Sequence, residues 1–424
     1  MGLDVRGLRE MFPFDGYCVD EVIFSEDLVQ VNLLPDKRRR LACPHCGDTM
    51  VLNRTTPTMA RDLPMALARN VVLIYSARQG RCRTCHRSST IHPGGIDSHR
   101  RVTKRLMRLA TALAVHMSAR AVSCFIPANE ETIRRWDKYI LNEILPPPDL
   151  DNLRYLMVDE KSIGKGHQYM TIVLNGDTGE LLHIAEGKKK ASFKSFFDLL
   201  DDEQKARIQA VCVDRGGAYV ACVEQELPHA ELVYDKFHLM MNLNHAVDLV
   251  RRSEWNKVRK KADGESPQEE KERMKNATFI KGQRFNLLRR PENNKPEQQE
   301  RLDELLALNE PLSKAYILLD DFRNAISQVH IGTATRALKL WLKTAISCEL
   351  QPIVTFAKGI KKGFRRVINA VRFSLNNGRM EGFNNLVARV IHKACGLHNL
   401  EYLTLKLRYQ AKKTPIQPYI HPRK

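Results

Sequence analysis

The chain has 424 residues, too many for one ordinary compact domain, so two or three are expected. Hydrophobic residues make up 43% and charged residues 28%, the balance of a protein that buries real cores rather than a disordered or fibrous one. Lys and Arg number 68 against 49 Asp and Glu, and the resulting net charge of +19 points to a polyanionic partner, nucleic acid first.

No uninterrupted apolar run approaches the roughly 20 residues of a membrane span, and the opening MGLDVRGLREMFPF lacks a secretory layout. The expectation is a cytoplasmic, nucleoid-associated protein with no membrane attachment. Residues 1–98 carry short strand-like runs, Tyr17 to Phe24 and Leu28 to Leu33, then the cluster Lys37-Arg38-Arg39-Arg40. That cluster reads either as a phosphate contact or as a solvated surface run. Ten cysteines are too sparse for a disulfide scaffold. Four of them form two tight pairs, Cys43-Pro-His-Cys46 and Cys82-Arg-Thr-Cys85. Each pair has the spacing that wraps one metal ion, and two pairs complete a tetrahedral sulfur shell with no position left for catalysis, hence a structural zinc. The bland alternative is reduced thiols that merely fall near each other. His45 and His86 stand beside the pairs as substitute ligands. The intervening stretch predicts a hairpin, with a strand at Val71 to Tyr75 and a loop at Arg61-Asp62-Leu63-Pro64. The other six cysteines, Cys18, Cys124, Cys212, Cys222, Cys348 and Cys395, read as core thiols.

Over 99–148 the period becomes helical. Leu106, Leu109, Leu113 and Met117 mark one stripe; Ile133, Trp136, Ile140 and Ile144 mark another, after a break at Ser123 to Pro127 and a helix start at Asn129. The pair reads as a helix-turn-helix presenting Arg134, Arg135 and Lys138 to DNA, or as an ordinary helical hairpin. Leu145-Pro146-Pro147-Pro148-Asp149 is a linker.

The 149–410 region opens with strands at Tyr155 to Asp159, Tyr169 to Leu174 and Leu181 to Ala185. A helix follows with Phe193, Phe196, Phe197 and Leu200, then a strand at Ile208 to Val213, a helix at Ala218 to Leu227 and a strand at Leu232 to Asp235. That order predicts a mixed sheet with helices against it. From about 240 to 370 the chain reads as charged helices, Trp255 to Lys275 and Glu297 to Leu308 among them, with a loop at Arg290 to Asn294. A turn at Asn376-Asn377-Gly378 precedes an amphipathic helix that bears Glu381, and residues 411–424 read as a tail.

Asp159 and Asp214 end two apolar strands, where a carboxylate is costly to desolvate unless paired or metal-bound. Neighbouring parallel strands would bring them to one site. Glu381 would complete an oxygen shell suited to two magnesium or manganese ions, which serve phosphodiester chemistry. The competing reading is that these acids are turn formers or solvated. Glu160 would point to the opposite face of the strand. Neither G-x-x-x-x-G-K-[ST] nor G-x-G-x-x-G nor G-x-S-x-G occurs.

These motifs resemble the ISL-three family of bacterial insertion-sequence DDE transposases. The resemblance spans nearly the whole chain: the two cysteine knuckles, the RDLP stretch at 61–64, LMVDEKSIGKGHQY at 156–169, VCVDRGGAYVACV at 211–223, LVYDKFHLMMNLNHAVDLVRR at 232–252 and NNGRMEGFNNLVARVIHKACG at 376–396. It implies a fold of the α/β (α+β) class: a ribonuclease H-like catalytic domain with an α-helical insertion, preceded by the zinc-binding module and the helix-turn-helix. It implies Asp159, Asp214 and Glu381 as the catalytic acids, with two magnesium ions. It also implies double-stranded DNA partners, namely terminal inverted repeats and target DNA, and a homodimer. Asp235 and His238 match an acid-x-x-histidine signature: His238 either orients the site or contacts DNA, or the two form a structural pair. Lys188, Lys189, Lys190, Arg389 and Lys393 are candidate phosphate contacts; the family tends to have arginine where this chain has Lys188. The rival function is a zinc-ribbon and helix-turn-helix DNA-binding regulator with an inactive sheet domain; a nuclease that cuts without joining is a second.

Overall fold

Alternating side chains build the N-terminal sheet of the computed structural model, which describes residues 11–65, 70–163, 168–214, 217–261, 263–373, 375, 378–397 and 399–412. Strand β1 (Tyr17–Phe24) pairs antiparallel with β2 (Leu28–Pro35), where Val29, Val31 and Leu33 face the core. Strands β3 (Met50–Asp62) and β4 (Asn70–Cys82) form a long antiparallel hairpin, and β2 runs parallel to β4. Short strands β5 (Ser88–Ile91), β6 (Ile96–Asp97) and β7 (Val102–Thr103) complete the sheet in the order β1-β2-β4-β3-β7-β6, with β5 on β4. Strand β3 is absent from the sequence reading because Asn53 to Thr58 is polar and exposed on both faces. Arg61 and Asp62 belong to its end rather than to a loop. The reason is burial: Asp62 is fully enclosed and accepts from the Thr103 hydroxyl at 2.7 Å and from the forked guanidinium of Arg105.

Three helices follow: α1 (Lys104–Ala114), α2 (Ala119–Val122) and α3 (Glu130–Ile144), capped by Thr103, Ser118 and Asn129. Buried on α1 are Leu106, Met107, Ala110, Thr111 and Ala114; the rest of the expected stripe, Leu109, Leu113 and Met117, is partly buried against the same cluster, with Met117 beyond the helix end. On α3 the expected Ile133, Trp136 and Ile140 are buried as read. The C-terminal helix Leu400–Lys412 groups with this unit, which comprises 1–147 and 385–424. Its Lys406 ammonium lies 2.6 Å from the buried Asp137 carboxylate of α3, and the Tyr402 hydroxyl donates to the same group. The sequence division at 410 does not follow this grouping.

The second unit, 148–384, is built on a five-stranded sheet in the order β10-β9-β8-β11-β12. Strands β8 (Tyr155–Ser162), β9 (Tyr169–Asn175) and β10 (Leu181–Glu186) form an antiparallel meander, while β11 (Ala210–Val213) and β12 (Glu231–Tyr234) run parallel to β8. All four residues of β11 are buried, as a central parallel strand covered on both faces requires. Helix α4 (Lys190–Phe197) supplies Phe193, Phe196 and Phe197 to the core; α5 (Asp202–Arg207) precedes β11, and α6 (Gly217–Glu226) joins it to β12.

Helices then take over: α7 (Lys236–Arg259), α8 (Pro267–Gly282), α9 (Arg284–Leu288), α10 (Pro296–Leu308), α11 (Glu310–Ser327), α12 (Ile331–Ile346), α13 (Gln351–Lys362), α14 (Phe364–Arg372) and α15 (Gly378–Lys393). The charged stretch Trp255–Lys275 is divided between α7 and α8, because Ser266 and Glu269 form a capping box with Pro267 in the first turn of α8. A Cβ at Gly363 would collide with the Tyr234 ring, so only glycine lets α14 pack on β12 there. Of the single cysteines, Cys212 and Cys222 are buried core thiols, whereas Cys124 and Cys395 are exposed. No described helix is long and apolar enough to cross a membrane. Asn376, Asn377 and the tail from 413 lie outside the described residues.

Candidate active site and metal centre

Strand register brings the acids together. Cys212 pairs with Met157 and Val213 with Tyr234, all in parallel strands. Continuing that register sets Asp214 level with Asp159, and Asp235 level with Asp214, on three adjacent strands about 4.8 Å apart; β11 and β12 end there, whereas β8 runs on to Ser162 paired with β9, so Asp159 lies within its strand rather than at its expected end. Asp159 is buried at 8% exposure and burial raises its pKa, while Asn384 and then the charge of His238 pull it back. The Asn384 amide donates to Asp159 Oδ2 at 2.7 Å, and the Glu160 backbone N–H donates to Oδ1 at 2.8 Å.

His238 stands in the first turn of α7 with Nδ1 2.9 Å from Asp235 Oδ2. That bond holds the imidazolium up to about 9, against burial, and the charges of Asp214, Asp235 and Asp159 add to it. All three carboxylates thus act on one histidine. Glu381 lies exposed in the first turn of α15, three residues before Asn384 and hence on the same helix face. The oxygens of Asp159, Asp214 and Glu381 do not close to within 4.8 Å of one another, a spacing that only the cysteine group reaches among the described residues. Glu160 faces away, as read from the strand period, and pairs with Lys188 at 3.7 Å.

At the far end of the β3–β4 hairpin, the Sγ atoms of Cys43, Cys46, Cys82 and Cys85 all lie within 4.8 Å of one another. The Cys43–Cys85 and Cys46–Cys82 separations are 3.6 Å and 3.4 Å, close to the roughly 3.8 Å edge of a tetrahedral zinc–sulfur shell. Backbone amides point at the sulfurs, those of His45 and Cys46 lowering Cys43 and those of Cys85 and Thr84 holding Cys82 down to about 7. Gly47 and His86, each following a second knuckle cysteine, both take a left-handed backbone, with φ of 77° and 56°. The donor set fits a structural zinc. Neither His45 nor His86 joins it.

A family model described as a transposase, of the DDE-type ISL-three group, matches residues 156–407. The chain is 30% identical over 411 residues, 96% of its own length and 98% of the relative's, to the transposase for insertion sequence element IS1001 from Bordetella parapertussis. It is 29% identical over 264 residues, 59% of each chain, to the transposase for IS1557 from Mycobacterium tuberculosis. The chain belongs to the ISL-three transposase family.

In this transposase the expected DNA contacts are dispersed. Arg134 pairs with Glu130, Arg135 with Glu131 at 3.6 Å, and Lys138 with Glu401. Lys188 sits 4.0 Å over the Tyr169 ring. Arg389 and Lys393 are exposed on α15, and Lys393 lines a crevice with Arg134 in the first unit. Asn384 is the site residue that sequence reading missed. Its only signal is the three-residue step from Glu381, which puts both on one helical face.

Proposed function

We propose that Asp159, Asp214 and Glu381 are the acids with which this transposase cleaves the ends of its insertion element and joins them to target DNA. The observation that carries the reading is the shared register level of Asp159 and Asp214 on adjacent parallel strands, with Asp159 tied by Asn384 to the helix that bears Glu381. The sheet order, with an antiparallel meander followed by two parallel strands, supports a ribonuclease H-like catalytic domain, interrupted by the helices of α7 to α14. An all-oxygen donor set suits magnesium or manganese rather than zinc. Two such ions, when bound, lower the pKa of the attacking oxygen and stabilise charge on the leaving one.

The residues have distinct parts. Asp159 presents Oδ1 and Oδ2 from a rigid strand, with Asn384 fixing its rotamer. Asp235 orients His238, whose retained proton offsets the crowding of three carboxylates. The zinc module and the α1–α3 helices, as a helix-turn-helix, would read the terminal inverted repeats with Arg134, Arg135 and Lys138. Rim ion pairs of that kind are weak and exchange readily for phosphates. Joining two ends in one complex calls for a homodimer.

The test is a cleavage-and-joining assay on labelled element ends with magnesium. Asp159→Asn, Asp214→Asn and Glu381→Gln should each bind ends like wild type yet yield no joined product. Variants that cut as wild type would refute the assignment. Specific binding without cutting by the wild type would favour the DNA-binding regulator, and cutting without joining a nuclease.

A further inference from the structure

Two hollows meet at the start of α7, and Phe237 stands between them. The larger, about 680 Å³, is walled in part by Lys236, Phe237, Asn244 and Arg290; the smaller, about 380 Å³, shares Phe237 and Asn244 and adds Arg284. Phe237 is 50% exposed, and its ring meets that of His238 edge to face at 5.8 Å. Its backbone N–H donates to Asp235 Oδ1 at 2.7 Å, so the residue is anchored beside that acid.

Asn244 lies two turns further along the same helix, and its Oδ1 is buried with no hydrogen-bond partner among the described residues. Buried amide oxygens nearly always find a donor, so an orphaned one on a cavity wall points to a donor from a ligand. Among the described residues, Lys236 is half-buried with no ion pair, Arg290 reaches Glu292 at 3.7 Å and Arg284 reaches Asp248 at 3.5 Å, both long contacts. No Asp or Glu is among the described lining residues of either hollow.

An exposed aromatic face, an unsatisfied amide and cations with at most weak surface pairs on one concave wall are the groups that hold an unstacked nucleotide. We propose that the double hollow receives one extruded nucleotide of the element-end strand, its base stacked on Phe237, its edge bonded to Asn244 and its flanking phosphates on Lys236 and Arg290. This rests on the reading that the neighbouring acids cut that strand. Withdrawing a base from the stack frees the adjacent phosphodiester from the duplex, at a cost that the stacking platform offsets.

The test uses the full chain and element-end duplexes carrying 2-aminopurine at single terminal positions, with no metal needed for that readout. Wild type should raise fluorescence at one position, and Asp159→Asn should do the same. Phe237→Ala should lose the signal while binding duplex normally, Phe237→Trp should keep the position-specific dependence in a cleavage assay, and Asn244→Ala should weaken it. In magnesium, Phe237→Ala should cut about ten-fold or more slowly, with recovery on a duplex that is abasic at the same position. No position-specific signal with wild type, or Phe237→Ala cutting as wild type, would overturn the pocket. So would a Phe237→Ala defect that is identical on every abasic duplex, or one that tracks a change in oligomeric state. A surviving fluorescence signal alongside an active Asp159→Asn would instead fault the catalytic assignment.

Discussion

Asn384 gives the carboxylate of Asp159 its only side-chain hydrogen bond among the described residues, at 2.7 Å. Partners that orient a metal-binding group typically contribute 10–100-fold in metal affinity or activity. Asn384→Ala should therefore reduce strand transfer by about that factor, with part of the loss recovered at high magnesium. A magnesium titration of the joining rate checks this, and an unchanged titration curve would separate Asn384 from the site. Asp62 poses the same question for stability: it is fully buried and shared by Thr103 and Arg105. Asp62→Ala should cost about 3–5 kcal/mol, since it strands the partner cation, and denaturant unfolding measures it. Asp159 was legible in the sequence because a carboxylate closing an apolar run is anomalous on its own strand. Asn384 was not, because nothing local tells which group a helical amide will meet 225 residues away.

Among the elements, the β3–β4 hairpin and its cysteine knuckles act together. Binding free energy at such sites is folding free energy. A purified chain should carry about one zinc per chain, and chelation should lower the melting temperature of the N-terminal unit. Cys43→Ser and Cys82→Ser should do so without chelator, read by metal analysis and calorimetry. A metal-free chain that melts as the untreated one does would remove zinc from the account. The knuckles were legible because chelation depends on spacing within four residues. Strand β3 was hidden by its polar, exposed middle, which carries no alternation to read. The α7–α8 break was hidden inside a long charged stretch, although Ser266-Pro267 and Glu269 spell out a helix start. Strands β8 to β12 were readable because buried apolar runs separated by turns admit few other conformations.

At the level of the whole molecule, a net charge of +19 predicts that binding to element ends is dominated by counterion release. Affinity should fall by about a hundred-fold or more between 50 and 200 mM salt, with Arg134→Ala or Lys393→Ala lowering the slope of the log–log plot by roughly one. A flat salt profile would contradict the polyanion reading. The grouping of the C-terminal helix with residues 1–147 was not legible, since it depends on Lys406 meeting Asp137 across 269 positions of chain. If Asp159, Asp214 and Glu381 form one metal-binding centre, crystals with uncleaved element-end DNA and manganese should show anomalous-scattering peaks within about 2.0–2.6 Å of carboxylate oxygens from all three residues; manganese bound without any one of them would rule that centre out.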